Sequence, residues 1–436
     1  MEGRLEAPKY LPRTVHDFYF EPKYEEFPLL AMPSILAAQG GPKPARYTVT
    51  DLGTLGGEYS IAYGLNNHGV VSGGAATASQ TDFVSQTGFL WYRGHIINVG
   101  TLGGAACPDC NSEAGGPNAP GISPVLSETA TLDPNKEDFC GFGTFRQCLG
   151  AIYKNGALIP LAPLPDGNNS QAYWTNQRGE TVGFSETGTE DGNCIMPSQL
   201  YRFSAVMWSA NGIPHPLNPL PGDTVSFALG INDAGQAVGV SGLCSNTTFP
   251  PNNTPGGTHA VFWDSNGTPV SVPDLPGAVG HNVAGSINNR GDMVGTQVMS
   301  DGTVHAYLWS KTGGLQDLMF PNAFVTVAPC CHSINDKREA TGFAFDENGP
   351  QAFVWSNGEF TDLNTVLPAN TPWYIFNTAS INNAGQIAAS GFNINTGEMH
   401  AVLLTPISQV GAPIAQGRTK APVLPDTVLR KFQPKH

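Results

Sequence analysis

The sequence predicts an all-β fold, a seven-bladed β-propeller with four antiparallel strands per blade, closed by the N-terminal strand joining the last blade. Three observations predict it. An Asn-x-x-Gly phrase recurs along the chain, a large aromatic recurs at one register of a later strand, and the repeat region opens with a strand type that its final copy lacks. Composition agrees: among 436 residues, Gly (52) and Pro (36) are abundant while charged residues make up 13%, which favours many short strands and turns.

In chain order, residues 1–45 read as an N-terminal extension. Within it, "FPLLAMPSILAAQ" (27–39) has the length of an export signal's apolar segment, with Ala37-Ala38 ahead of a cleavage point. A long mixed-charge leader precedes it. The propeller is expected over 46–406, opening with an outer-type strand, "RYTVTDLGTL" (46–55). Each copy then has the grammar a, b, c, d. Strand a ends in Ile/Leu-Asn, a tight reversal leads to b, a variable loop leads to c, and a Gly-containing turn leads to d. Apolar runs of this length bounded by Gly and Asn read as strands.

The a–b signature stands at Asn66…Gly69, Asn176…Gly179, Asn232…Gly235, Asn288…Gly291 and Asn382…Gly385. Asn335 starts a sixth, with Arg338 in place of Gly. The seventh is read as degenerate at "TLDPNKEDFCG" (131–141), with Asp133 for Asn. Asn bonds its own backbone two residues on, and Gly tolerates positive φ, so this is turn chemistry. Strand c carries Trp91, Tyr153, Trp208, Trp263, Trp309 and Trp355, with Leu404 in the last copy; a ring at this register suits packing between neighbouring blades. Ala62, Ala172, Ala228, Ala284 and Ala379 keep strand a small. The final copy ends on its c strand, "HAVLL" (400–404), so the opening strand supplies the missing d strand and covers an edge. The basic stretch at the end, 407–436, is expected to be a flexible tail.

"YTVTDLGTLGGEYSIAYGLNNHGVVSG" (47–73), with His259-Ala260, His305-Ala306 and His400-Ala401 opening strand c, resembles the bacterial extracellular HAF-repeat family. The resemblance covers roughly 46–405. It implies a secreted or surface-associated repeat protein. The His position is Thr87, Leu149, Ser204 and Gln351 in the other copies, which argues against a role requiring His in every blade.

The a–b and c–d links are short, whereas the b–c and d–a links are long: 185–202, 241–258 and 103–124. Variable polar loops on one face of a scaffold are where binding sites concentrate. Trp174, Phe227, His332, Trp373 and Tyr374 are the candidate binding residues at the channel mouth on that face, and His259, His305 and His400 form a repeat set. Eight cysteines lie in or beside these loops. Cys140 and Cys148 flank a short hairpin at cross-strand spacing, and Cys194 and Cys244 sit in equivalent loops of adjacent blades. Cys107 with Cys110, and Cys330 with Cys331, either close small rings or pair at long range. Disulfides point to an oxidising compartment, extracellular or in the cell envelope.

Several chemistries are set aside. The net charge of −14 without a basic stripe excludes nucleic acid as a partner. No apolar run reaches the roughly 20 residues of a transmembrane helix. "CPDC" (107–110) lacks the helix of a redox pair. Cys107, Cys110, Cys331 and His332 lie too far apart in the repeat order for a zinc site. There is no G-x-S-x-G, no H-E-x-x-H and no calcium loop. Asp51, Asp317 and Asp362 recur at strand d as structural residues. No catalytic residue, metal or cofactor is therefore assigned. The expectation is a monomeric, non-catalytic scaffold that binds a protein or glycan through its long-loop face. The alternatives are a propeller enzyme, a polysaccharide lyase or glycoside hydrolase with an axial active site, and a purely structural surface protein.

Overall fold

The computed structural model describes residues 46–80, 84–247, 257–328, 332–347, 349–407 and 421–422. The expected N-terminal extension, its apolar stretch at 27–39 and nearly all of the basic tail lie outside the described residues.

The Asn-x-x-Gly turns set the strand lengths. Asn66 Oδ1 accepts the backbone N–H groups of His68 and Val70, both at 2.9 Å. Gly69 takes φ 81°, and Arg338 adopts φ 62° at the equivalent place in the sixth copy. Strand β1 (Tyr47–Asp51) precedes the first turn. A meander follows: β2 (Gly56–Leu65), β3 (Val71–Thr77), β4 (Thr87–Tyr92) and β5 (His95–Asn98). The same order recurs in β6 (Ser112–Ala114), β7 (Ser123–Leu132), β8 (Arg146–Lys154) and β9 (Ala157–Pro160). Next come β10 (Ser170–Thr175), β11 (Thr181–Glu190), β12 (Tyr201–Trp208) and β13 (Pro214–Leu217). Then follow β14 (Val225–Ile231), β15 (Ala237–Gly242), β16 (His259–Trp263) and β17 (Pro269–Ser271). Strands β18 (Val283–Ile287), β19 (Met293–Val298), β20 (Val304–Ser310) and β21 (Gly314–Leu318) form the fifth meander. Strands β22 (Val325–Val327), β23 (Ala340–Asp346), β24 (Gly349–Ser356) and β25 (Glu359–Asp362) form the sixth. The last strands among the described residues are β26 (Trp373–Ile381), β27 (Ile387–Asn393) and β28 (Met399–Pro406). Among the described residues the one α-helix is a single turn, α1 (Cys244–Thr247).

Within each meander, consecutive strands pair antiparallel. Strand β1 pairs antiparallel with β28, from Tyr47↔Pro406 to Asp51↔Val402. The meanders do not all stand as separate sheets. Single parallel contacts, Tyr59↔Met399 and Val304↔Val325, join neighbours, so hydrogen bonding counts two eight-stranded and three four-stranded sheets.

The core lies between neighbouring meanders. Trp263 on β16 is fully buried against Val182, Ala205 and Leu217 of the preceding unit, and its Nε1 donates to Asn218 O at 2.8 Å. Trp208 is placed in the same way, donating to Ala162 O at 2.7 Å. A buried indole needs an acceptor, and the link before each strand a provides one.

A second tie runs between the a–b turns. Asn66 Nδ2 donates to Asn118 O at 2.9 Å, and the same bond steps on through Asn176, Asn232, Asn288, Asn335 and Asn382. Asn382 Nδ2 then donates to Asn66 O at 3.0 Å, so the bonds form a cycle. Beside it runs a second ladder. The backbone N–H after six of the seven Asn donates to the side chain after the next, as from Gln177 to Asp233 and from Asn383 to Asn67, both at 2.9 Å.

This cycle corrects one element of the sequence reading. The seventh signature is Asn118…Gly121, not Asp133. Strand β6 is so short, and so closely followed by Gly115, Gly116 and Pro117, that 103–124 reads as loop. Asp133 deceives because it makes the same turn, accepting from the N–H groups of Asn135 (2.8 Å) and Glu137 (2.9 Å).

Candidate functional site

The long loops fold against each other and bury carboxyl groups. Glu186 stands on β11, and Glu137 lies in the loop between β7 and β8. Both side chains are fully buried, and they are hydrogen-bonded to each other. Glu186 Oε2 accepts the backbone N–H groups of Asn168 and Asn169, both at 3.0 Å, and its Oε1 accepts Gln199 Nε2 at 3.2 Å. Glu137 accepts the backbone N–H of Leu200 and, at 3.2 Å, Asn135 Nδ2. Asp133 Oδ2 completes the group by accepting Asn169 Nδ2 at 2.8 Å.

Burial, and then the charge of Glu137, push the Glu186 carboxyl up to about 8. Burial also raises Glu137. Two carboxyls this close cannot both ionise cheaply, and the proton is held most firmly on Glu186. A third buried carboxyl, Glu128, is raised by burial too and is held by the Asn111 N–H at 2.7 Å and by the Thr144 hydroxyl.

The two residues expected at the channel mouth that do meet are Trp174 and His332. Their rings stack 5.0 Å apart at an interplanar angle of 4°. Trp174 lies two residues before Asn176, which puts the stack near the short-turn end and not under the long loops. Two residues before each of the other ladder asparagines stands Gly or Ser: Gly64, Gly116, Gly230, Ser286, Ser333 and Ser380. Gly116 is obligatory, because a Cβ there would lie 1.7 Å from the Trp174 ring. Burial lowers the pKa of His332, whose Nδ1 contacts Ile381 O at 3.2 Å.

Phe227 is buried in an apolar cluster with Phe139, Phe142, Tyr173 and Phe203. Trp373 packs on the His400 ring at 5.4 Å, and the Tyr374 hydroxyl donates to Pro350 O at 2.6 Å. The repeat histidines each hold a carboxylate through Nδ1: His259 with Asp223 (3.0 Å), His305 with Asp317 (2.8 Å) and His400 with Asp51 (2.9 Å). His400 therefore ties β28 to β1, and its hydrogen bond helps hold Asp51 below the usual carboxylate range against the opposing effect of burial. Three disulfides are formed, Cys107–Cys110, Cys140–Cys148 and Cys194–Cys244. Cys330 and Cys331 lie outside the described residues. Among the described residues no three His, Cys, Asp or Glu side chains cluster to hold a metal.

Sequence reasoning missed the Glu137–Glu186 pair, since neither residue belongs to a motif. One signal exists in hindsight. Glu137 follows Asp133 by four residues, the spacing at which Glu180 and Glu339 follow Asn176 and Asn335 and bond their side chains.

No protein-family model matches the chain, and no curated protein matches its sequence. Solved structures do resemble it, and they are propeller-type proteins. A puromycin hydrolase matches with TM-score 0.49 and 12% identity, over 80% of this chain and 55% of that one. The β-propeller domain of the Trilobed protease from Pyrococcus furiosus matches with TM-score 0.35 and 11% identity, over 70% and 95%. A gluconolactonase from Xanthomonas campestris matches with TM-score 0.37 and 11% identity, over 85% and 99%. The chain spans about half the length of the puromycin hydrolase. At these identities the likeness concerns the fold. Enzymes stand among these neighbours, the puromycin hydrolase and the gluconolactonase by name, and this goes against the expectation of a non-catalytic scaffold.

Proposed function

We propose that the protein is a propeller-type enzyme performing acid–base chemistry, hydrolysis or elimination, at the Glu137–Glu186 pair beneath its long-loop face. The observation that carries the reading is the pair itself: two fully buried carboxyls hydrogen-bonded to each other, with Glu186 pushed up to about 8 by burial and by its neighbour's charge. A carboxyl protonated at neutral pH is a ready general acid, and a second carboxyl in contact with it can take the proton in exchange. Direct contact between the two is much closer than the roughly 5–9.5 Å that separates the carboxylates of glycoside hydrolases. That favours a proton-sharing unit over two-sided attack on a sugar. The pair joins two consecutive units, Glu137 coming from the loop between β7 and β8 and Glu186 from β11.

The test is a hydrolysis and elimination screen on uronate polysaccharides, lactones, esters and peptides, run on wild type and Glu186→Gln. Gln keeps the acceptor for Asn168 and Asn169 but has no proton to give. Turnover falling at least about 100-fold in the variant is expected. Equal rates in the two proteins, or no turnover of any substrate, contradicts the reading.

We further propose that the meanders are blades of one closed seven-bladed ring spanning 46–406. The Asn cycle returning to Asn66 and the pairing of β1 with β28 support this. Three disulfides support work in an oxidising compartment, in keeping with the HAF-repeat resemblance. No described helix is long and apolar enough to cross a membrane.

A further inference from the structure

We propose that the 191–200 loop is a redox-released lid over Glu137 and Glu186, latched by the Cys194–Cys244 disulfide. This rests on reading the pair as the catalytic centre. Both carboxyls are fully buried, so a substrate reaches them only if a covering segment moves. The 191–200 loop is that segment. Its Leu200 N–H bonds Glu137 and its Gln199 side chain bonds Glu186, while Met196 on its outer side is 45% exposed.

The other non-covalent ties are few: Cys194 packs on the apolar cluster around Phe203 and Phe227, and Gln199 Nε2 also donates to Tyr201 O at 2.7 Å. Only Asp191 and Gln199 within it are buried. Asp138 N–H donates to Pro197 O at 2.7 Å, and Arg202 pairs with Asp191 at 3.0 Å at the loop's base. Segments with few buried contacts open at low cost. The covalent tie is Cys194, at the loop's centre, bonded to Cys244 on the next unit, 50 residues on. Cys194 is half-buried and within reach of a small reductant. A dithiol attacks one sulfur, the S–S bond breaks through a mixed disulfide, and the dithiol closes to its own disulfide. Two thiols remain on the protein, and the loop keeps only its non-covalent ties.

The experiment is carboxyl labelling of the full chain with a water-soluble carbodiimide and an amine, read by peptide mass spectrometry. It needs no substrate, so it fails or succeeds separately from the turnover screen. Oxidised wild type, wild type with dithiothreitol, Cys194→Ser/Cys244→Ser and Cys107→Ser/Cys110→Ser are compared. Glu128, also buried but outside the lid, reports on global unfolding. Labelling of Glu137 and Glu186 is expected to rise at least tenfold with dithiothreitol and in the Cys194/Cys244 variant, with Glu128 still protected and the Cys107/Cys110 variant unchanged. Unchanged labelling of the pair, or a rise shared by Glu128 or by the Cys107/Cys110 variant, overturns the proposal.

Discussion

The two ends of the strands in this protein obey different rules. At the short-turn end every unit contributes one Asn in one geometry, and each Asn satisfies its neighbour's carbonyl. At the long-loop end no two units are alike, and carboxyls are buried against each other. The first arrangement minimises unsatisfied polar groups. The second places two acids where one must stay protonated, at a cost in stability. Repetition belongs to the scaffold, and departure from it marks where chemistry is placed.

Among single substitutions compared at one pH, breaking the regular end gives the largest expected effect. Asn382→Ala removes the Oδ1 acceptor of Ala384 and Gln386 N–H and the donor to Asn66 O, all at or near a buried position. A loss of about 2–4 kcal/mol is expected in urea unfolding, since buried groups are left unpaired. A change below about 0.5 kcal/mol would mean that the cycle holds nothing together.

The irregular end is expected to respond to pH. The folded-state pKa of Glu186 is raised from 4.5 to about 8, so the folded protein binds the extra proton. Its contribution is fully present below the unfolded value and is lost as pH rises through the folded one. Stability should therefore fall between pH 4.5 and 8, by at most about 1.4 kcal/mol per pH unit for one proton. Glu186→Gln should flatten that slope, and a slope unchanged in the variant would detach it from this pair.

The smallest effect sharpens the regular end. The second ladder lacks one bond, because the Ala119 methyl group cannot accept the Asn67 N–H. Ala119→Asn should complete it and add about 0.5–1.5 kcal/mol, one net hydrogen bond. A destabilised variant would show that this turn is spaced differently from the others.

How much of this was legible in the sequence follows the same division. The turn Asn and the strand-c aromatic each do one job in every unit, so periodicity exposes them. Asp133 was misread for a physical reason, since its carboxylate makes the Asx turn that Asn118 makes elsewhere. Trp174 reads as a binding residue on the long-loop face, but its place beside Asn176 shows that it fills the short-turn end. Glu137 and Glu186 come from different units, and their meeting is made by loop packing, which leaves no period to read. The disulfides fall between: the Cys194 and Cys244 spacing was informative because their loops are equivalent.

The central claim is a carboxyl that stays protonated at neutral pH, and infrared difference spectroscopy of the pH titration addresses it most directly. A protonated-carboxyl C=O band persisting at neutral pH, disappearing near pH 8 and absent from Glu186→Gln, is the predicted result. Carboxyl bands that all vanish within the ordinary carboxylate range, in wild type and variant alike, would contradict the account.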